Sequence, residues 1–212
     1  MTFDKALIAV GRRPMSKNLG LENTSIITDE RGFITIDKQC RTNESHIFAI
    51  GDVAGEPMLA HKATKEAHVA VEVIAGHPES FDPLAIPAVV FTEPELAWTG
   101  LSEIEARQKN WEIEVTKFPW AASGRATTMG IKKGLTKIIS EPSTNRILGA
   151  GIVGNGAGEM IAEATLAIEM GTRLEDLKSI IHAHPTLSET FMESAELFYN
   201  TSPHFYSPKK NK

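Results

Sequence analysis

Residues 135–153, LTKIISEPSTNRILGAGIV, decide the fold class of this chain. The two ends of the stretch, residues 135–140 and 147–153, are apolar runs with the length and β-branched composition that strands favour. The segment EPSTNR between them is made of a proline and polar residues, which is typical of a turn. We therefore predict a β-hairpin whose two strands belong to an antiparallel sheet.

Further strands and several helices are predicted on both sides of this hairpin. Strands are predicted over residues 88–91 and 113–118, and a helix is predicted after Ser102, which forms a capping-box match with Glu105. Strands flanked by helices on one side predict an α+β fold for residues 84–212. Later helices are predicted over about residues 158–170, 174–181 and 187–199.

Residues 1–83 have a different pattern, which is typical of α/β structure. The apolar run ALIAV at residues 6–10 predicts a buried strand of a parallel sheet, and such a strand needs neighbours. Because none precedes it, we expect that the sequence was cut inside a larger protein and that this region is poorly ordered or repacked. Shorter strands are predicted at residues 32–36 and 46–52, a helix over 59–75, and a linker at 77–83.

Composition excludes several classes of function. The formal net charge of −5 argues against a nucleic-acid partner, and the basic cluster at residues 209–212 is interpreted as a solvated tail. No apolar run approaches the roughly 20 residues of a membrane helix, and no signal peptide is predicted, because the apolar run at residues 6–10 is too short for one. Cys40 is the single cysteine, which excludes an internal disulfide framework, favours a reducing cytoplasm and is interpreted as a bystander thiol.

A candidate acid–base pair lies near the end of the chain, where His184 precedes a proline and Glu189 follows five residues later. A carboxylate that accepts the N–H of one ring nitrogen fixes the tautomer and stabilises the imidazolium, so the pair suits a general base. A structural alternative stays open, because Thr186 to Glu189 is also a capping-box sequence at the start of a helix.

A second candidate site lies in the first region. Asp52 follows Gly51 at the end of a predicted strand, a position from which an acid reaches a ribose-like hydroxyl in an open α/β sheet. The alternative is a turn residue that caps the next segment. Residues 58–61, MLAH, then open a helix whose free N–H groups suit an electron-rich acceptor.

Two apparent motifs are rejected. Residues 149–154 match G-x-G-x-x-G, but the first two glycines lie inside a predicted strand and the helix starts only near Gly158, so the glycines are assigned to strand bends and close packing. His182 and His184 have no third or fourth metal ligand nearby, so no metal site is predicted.

Several stretches together resemble the pyridine nucleotide-disulfide oxidoreductase family. Thr42 followed by IFAIGD at 47–52 and MLAHKA at 58–63 is similar to that family's second flavin-binding motif. The stretch FTEPELAWTG at 91–100 resembles the start of its dimerisation domain. Within the family, FPWAASGRA at 118–126 and HAHPTLSE at 182–189 resemble the dihydrolipoyl dehydrogenase branch in a bacterial form.

This resemblance implies roles for the candidate residues. His184 would take a proton from dihydrolipoamide, Glu189 would orient it, and the histidine would act in the partner subunit's site, with a cis peptide before Pro185. Residues 1–83 would be the C-terminal remnant of an FAD/NAD-binding domain, and residues 84–212 the dimerisation domain. The implied cofactor-binding residues are Gly51 and Asp52 for the ribitol of FAD, Met58, Leu59, Ala60 and His61 at the flavin, and Gly11 on the nicotinamide side.

The resemblance also implies the parent's reaction and partners. The parent would oxidise dihydrolipoamide through a redox disulfide and FAD, with NAD as the final acceptor. It would be a homodimer that binds the lipoyl and subunit-binding domains of a 2-oxo acid dehydrogenase acyltransferase. This chain lacks the paired redox cysteines, so we expect it to be inactive alone and not to retain FAD or NAD. The alternatives are a glutathione-reductase-like enzyme and a non-catalytic dimerisation module.

Overall fold

A computed structural model of the chain describes residues 2–131 and 133–206. The basic cluster interpreted as a solvated tail lies outside this part. The chain divides into two compact units between Asp82 and Pro83, and each unit is described by itself. Of the helices in the described part, none is long and apolar enough to cross a membrane.

The N-terminal unit is organised around one helix, α1, which spans Ala60–Ile74. Its apolar face buries Val69, Ala70 and Val73 against Cys40, with Phe48 and Phe81 packed around them. The helix ends where Gly76 adopts φ 91°, a left-handed conformation that glycine tolerates well. The predicted helix over residues 59–75 is therefore confirmed.

The strands predicted in this unit do not form. Residues 6–10 have no regular secondary structure, and Leu7, Ile8 and Val10 are 92%, 81% and 93% exposed. The physical reason is that an apolar strand is stable only with hydrogen-bonded neighbours, and no described residue pairs with this one. The strands predicted at 32–36 and 46–52 are reduced to isolated bridges, Thr28 with Ile34 and Arg41 with Phe48.

The C-terminal unit is built on a five-stranded antiparallel sheet with the order β1-β2-β5-β4-β3. The β4–β5 hairpin has the predicted bounds, and its register places Ile138 opposite Ala150. The strands are β1 Ala88–Val90, β2 Leu96–Gly100, β3 Glu114–Pro119, β4 Leu135–Ser140 and β5 Ile147–Val153.

Five helices accompany the sheet: α2 Glu103–Gln108, α3 Gly124–Thr128, α4 Ala157–Glu169, α5 Leu174–Ser179 and α6 Glu189–Phe198. Helix α4 contacts β2 and β5, and α6 contacts β3 and β4, so the core lies between these helices and one face of the sheet. The capping box predicted at α2 is present, because Ser102 and Glu105 each accept a hydrogen bond from the backbone of the other. The predicted α+β fold is confirmed.

The glycines of the rejected dinucleotide motif are packing residues. A Cβ added to Gly149 would lie 2.0 Å from the carbonyl oxygen of Leu101, and one added to Gly154 would lie 2.3 Å from the Trp120 ring. Gly149 and Gly151 lie within β5, and the next helix begins only at Ala157. Gly149 and Gly154 therefore allow close approach of backbone and indole, whereas a Cβ at Gly151 would meet no atom nearer than 3.7 Å, so the packing role is confirmed for two of the three glycines.

Candidate active site

His184 lies in the loop of residues 180–188, which connects α5 to α6. Its Nδ1 is 2.9 Å from Oε1 of Glu189. Because an ionised carboxylate only accepts hydrogen bonds, this contact places the proton of the neutral ring on Nδ1 and leaves Nε2 as the basic nitrogen. The side chain of His184 is 65% exposed, whereas that of Glu189 is 14% exposed, so an oriented base faces outward from a sheltered carboxylate.

Glu189 orients His184 and also bonds the loop backbone, although the capping box predicted at Thr186 does not form: Ser188 is the N-cap of α6, and the Thr186 hydroxyl donates to Ala183. Oε1 of Glu189 contacts His184, while its Oε2 accepts a hydrogen bond from the backbone N–H of Thr186 at 2.7 Å. Burial acts to raise the pKa of Glu189, but the hydrogen bonds from Thr186 and His184 outweigh it and the pKa is lowered. The carboxylate is therefore held in its charged form, which stabilises an imidazolium beside it.

Two further features surround the His184 ring. The His184–Pro185 peptide is cis, as the resemblance implies. A Cβ added to Gly124, the first residue of α3, would lie 3.8 Å from Cε1 of His184, so the start of α3 lies beside the imidazole. The sequence analysis missed this neighbour, because nothing in the local pattern at Gly124 indicates contact with a loop sixty residues further along the chain.

His182, two residues before His184, makes a separate contact with an acidic side chain. Its Nε2 lies 2.7 Å from Oε1 of Glu163 on α4, and its side chain is only 7% exposed. Within the described ranges, no group of three or more histidine, cysteine or acidic residues is placed to hold a metal ion. The sequence analysis missed Glu163, which is one of several acidic residues on its helix.

In the N-terminal unit, the turn that carries Gly51 and Asp52 is held by a buried ion pair. Glu66 accepts a hydrogen bond from the N–H of Gly51 at 2.7 Å and lies 2.6 Å from Nζ of Lys62. Lys62 also donates to the carbonyl oxygen of Gly55 at 3.2 Å. The side chains of Lys62 and Glu66 are 5% and 2% exposed, so they form the buried support of the turn.

The remaining candidate residues lie around this turn. The Asp52 carboxylate is half exposed and 3.9 Å from the guanidinium of Arg12, the residue after the exposed Gly11. Met58 is buried, and Leu59 is the N-cap of α1 without a side-chain cap. Ala60 and His61, the first two residues of α1, are exposed and lie at the positive end of the helix dipole, whereas Lys62, the next residue, is buried.

Cys40 has the environment of an inert thiol. It is fully buried, and burial, followed by the negative charge of Glu66, raises its pKa to about 11. The thiolate is the reactive form of cysteine, so this side chain is unreactive near neutral pH.

Comparison with known proteins decides the family. Residues 86–195 match the model of the pyridine nucleotide-disulphide oxidoreductase dimerisation domain, and residues 1–67 match that of pyridine nucleotide-disulphide oxidoreductase. The chain belongs to the pyridine nucleotide-disulphide oxidoreductase family. The resemblance found in the sequence motifs is thereby confirmed.

Relatives that are about half identical to this chain belong to one branch of the family. The dihydrolipoyl dehydrogenases of Vibrio cholerae and Haemophilus influenzae are each 51% identical to this chain, over 94% and 92% of its length. The match covers 42% and 41% of those two proteins, so the chain spans less than half the length of these relatives. Their names agree with the branch indicated by FPWAASGRA and HAHPTLSE.

Solved structures show the same fold. LpdA from Mycobacterium tuberculosis is 27% identical with a TM-score of 0.80, over 87% of this chain and 40% of that protein. The HOCl-induced flavoprotein disulfide reductase RclA from Escherichia coli is 30% identical with a TM-score of 0.79, over 90% of this chain and 44% of that protein.

Proposed function

We propose that the chain is part of a dihydrolipoyl dehydrogenase and supplies the general base and the dimer interface of that enzyme. The observation that carries the proposal is the contact between His184 Nδ1 and Glu189 Oε1 at 2.9 Å on an exposed loop. In this assignment residues 84–212 are the dimerisation domain, and residues 1–83 are part of the FAD/NAD-binding domain. The names of relatives that are 51% identical support the choice of substrate.

The chemistry assigned to the chain is proton transfer. Nε2 of His184 takes the proton of one thiol of dihydrolipoamide, and Glu189 stabilises the resulting imidazolium. The thiolate then attacks a redox disulfide, forming a mixed disulfide and releasing one thiolate of the enzyme. The second thiol of the substrate loses its proton as its sulfur displaces the other enzyme sulfur, so lipoamide forms. The two protons taken from the substrate convert the two enzyme thiolates to thiols, and the enzyme disulfide is thereby reduced to a dithiol. Cys40 is the single cysteine of these residues, so that disulfide belongs to other residues of the parent, and the 212-residue chain is inactive alone.

The N-terminal unit has features that fit part of an FAD site. Asp52 has a half-exposed carboxylate, which would accept a hydrogen bond from the ribitol, and the turn beside it is supported by Glu66. Residues Met58–His61, which lead into α1 and include its N-cap Leu59 without a side-chain cap, would face the flavin. Gly11 would lie on the NAD side. Bound FAD would supply a two-electron acceptor between the dithiol and NAD.

The proposed partners follow from the substrate. A homodimer would bring His184 to the disulfide of the partner subunit, and the match of residues 86–195 to a dimerisation domain supports this arrangement. The lipoyl group would arrive on the lipoyl domain of a 2-oxo acid dehydrogenase acyltransferase, whose subunit-binding domain would hold the enzyme.

The test is the substitution His184→Gln in the full-length parent, assayed with dihydrolipoamide and NAD. Loss of a general base lowers turnover by about 10²–10⁴-fold. His68→Gln, a change at an exposed histidine of α1, is the matched control and keeps normal turnover. Unchanged turnover in His184→Gln would reject the base and favour a non-catalytic dimerisation module. Faster reduction of glutathione disulfide than oxidation of dihydrolipoamide would favour the glutathione-reductase-like alternative.

A further inference from the structure

Residues 180–188 lie between the end of α5 and the start of α6 and contain no helix or strand, so side-chain contacts must hold the segment that carries His184. Toward α6 the support comes from Glu189 and from the Thr186 hydroxyl, which donates to the carbonyl oxygen of Ala183 at 2.7 Å. The other support is His182, which lies on the opposite side of Ala183.

His182 fastens the loop to a rigid helix. Helix α4 is packed on the sheet through Ala157, Ile161, Ala164 and Ile168, all of which are buried. Glu163 projects from this helix and contacts Nε2 of His182 at 2.7 Å. Nδ1 of the same ring lies 3.3 Å from the carbonyl oxygen of Ile180. With the Glu163 carboxylate at Nε2 and only 7% exposure of the side chain, the imidazole is held in place against α4.

We propose that His182 and Glu163 are positioning residues that fix the loop and thereby set the place of the His184 imidazole. The inference rests on the proposed function, because the position of the His184 imidazole affects the rate only if His184 is the general base. The Ala183 peptide lies between the two supports: His182 precedes it, and Thr186 bonds its carbonyl oxygen. Removing the α4 contact frees the N-terminal side of His184 while leaving the Glu189 contact intact. His184 then keeps its contact with Glu189, but its imidazole is no longer held in one position.

The consequence is kinetic. Displacement of a catalytic group by about 1 Å costs up to about 10²-fold in rate, and a loop that still retains one support loses less. We expect about a tenfold fall in turnover with dihydrolipoamide when the Glu163 contact is removed.

The experiment compares variants of the full-length enzyme in two assays. One is oxidation of dihydrolipoamide by NAD, and the other is reduction of an artificial dye by NADH, which does not use the His184 base. Glu163→Ala is expected to lower the ratio of the two turnover numbers about tenfold. Glu163→Gln retains most of the ratio, because its amide oxygen still accepts a hydrogen bond from Nε2 of His182. Glu159→Ala, an exposed position one turn earlier on α4, keeps the ratio of the wild type.

A double variant shows whether the pair acts through the base. Adding Glu163→Ala to His184→Gln is expected to cause no further loss of dihydrolipoamide oxidation, since there is no base left to position. If Glu163→Ala does not fold, His182→Asn replaces it, because the shorter side chain no longer reaches Glu163.

The outcomes separate this inference from the proposed function. Normal turnover in His184→Gln rejects the proposed function itself. Loss in His184→Gln together with an unchanged ratio in Glu163→Ala and His182→Asn overturns the positioning role alone. An equal fall in both assays also overturns it, because it indicates a general effect on the fold.

Discussion

At the scale of single residues, Glu189 joins a structural and a chemical task in one carboxylate. One oxygen accepts from the backbone N–H of Thr186 in the loop ahead of α6, and the other orients His184. Because each oxygen has its own donor, the side chain cannot turn without breaking both bonds. The same two donors hold the pKa of Glu189 below its ordinary value, against the effect of burial.

Glu189→Gln should therefore destabilise the protein in a pH-dependent way. An amide has one acceptor oxygen, so one donor is lost, and the free energy of unfolding falls by about 1–2 kcal/mol at pH 7. Since the folded pKa of Glu189 is lowered, its contribution is complete above the ordinary value of 4.5 and is lost as the pH falls through the folded pKa.

Urea unfolding of both proteins across the range from neutral pH to below 4.5 measures this difference. The exposed substitution Glu159→Gln serves as the control and changes stability by less than about 0.5 kcal/mol. A difference between Glu189→Gln and the wild type that stays constant over the whole range would contradict the assignment.

At the scale of elements, strand β5 depends on glycine at one position and not at another. A Cβ at Gly149 would lie 2.0 Å from the backbone oxygen of Leu101, whereas one at Gly151 would meet its nearest neighbour, Cε of Lys137, at 3.7 Å. Backbone does not move aside as a flexible side chain does.

Gly149→Ala is accordingly expected to lower the free energy of unfolding by about 1–3 kcal/mol, as overpacking does. Gly151→Ala, two residues along the same strand, should change it by less than about 0.5 kcal/mol. The three tryptophans, at 98, 111 and 120, all lie in the C-terminal unit, so their fluorescence in a urea titration reports on this sheet. An equal loss of unfolding free energy in the two variants would contradict this prediction, because it would show that the backbone at Leu101 shifts readily to accommodate a Cβ at residue 149.

Helix α1 depends on the buried pair of Lys62 and Glu66. Lys62→Met leaves the Glu66 carboxylate buried without its cation, which costs about 3–5 kcal/mol. Lys62→Met combined with Glu66→Gln removes both charges while the amide oxygen still accepts from Gly51, so most of the loss is recovered.

Amide hydrogen exchange in peptides from residues 51–74 measures this effect inside the N-terminal unit. Faster exchange in the single variant, with protection restored in the double variant, is the expected result. Exchange that is equally fast in both variants would mean that the charges themselves stabilise the helix.

At the scale of the whole molecule, the C-terminal unit exposes apolar side chains on α4 and on the loop that carries His184. Leu166 on α4 and Met170, its C-cap, are 63% and 74% exposed, and Ile180 and Ile181 in the loop of residues 180–188 are 50% and 97% exposed. The loop is joined to α4 through His182. Exposed apolar surface of this kind is typical of a protein–protein interface.

We predict that the 212-residue chain sediments as a dimer without flavin absorbance, and that Ile181→Asp shifts it toward monomer. Ile104→Asp is the control, because Ile104 is 67% exposed on α2. Thr136 of β4 bonds Thr190 of α6, whereas the next residue, Lys137, bonds Glu103 of α2. Because successive side chains of a strand point to opposite faces, α2 lies on the face of the sheet opposite to α6, away from the proposed interface. If the wild-type chain sediments as a monomer, the prediction that the C-terminal unit contains a dimer interface is wrong.

The sequence by itself determined the elements whose signals are local. The β4–β5 hairpin, the capped start of α2, and the helix that ends before Gly76 all depend on residues within a few positions of each other, so their bounds were predictable. The candidate base was predictable for the same reason, since His184 and Glu189 are five residues apart.

Only the tertiary structure decided which distant groups meet. Residues 6–10 have the composition of a strand but form none, because a strand requires hydrogen bonds from a neighbour that its own sequence does not encode. Glu163 reaches His182, and Glu66 reaches Gly51, through the packing of α4 and α1. Such contacts are fixed by the burial of whole helix faces. A local sequence pattern does not give the distance between two elements that are far apart in the chain, so these contacts could not be predicted.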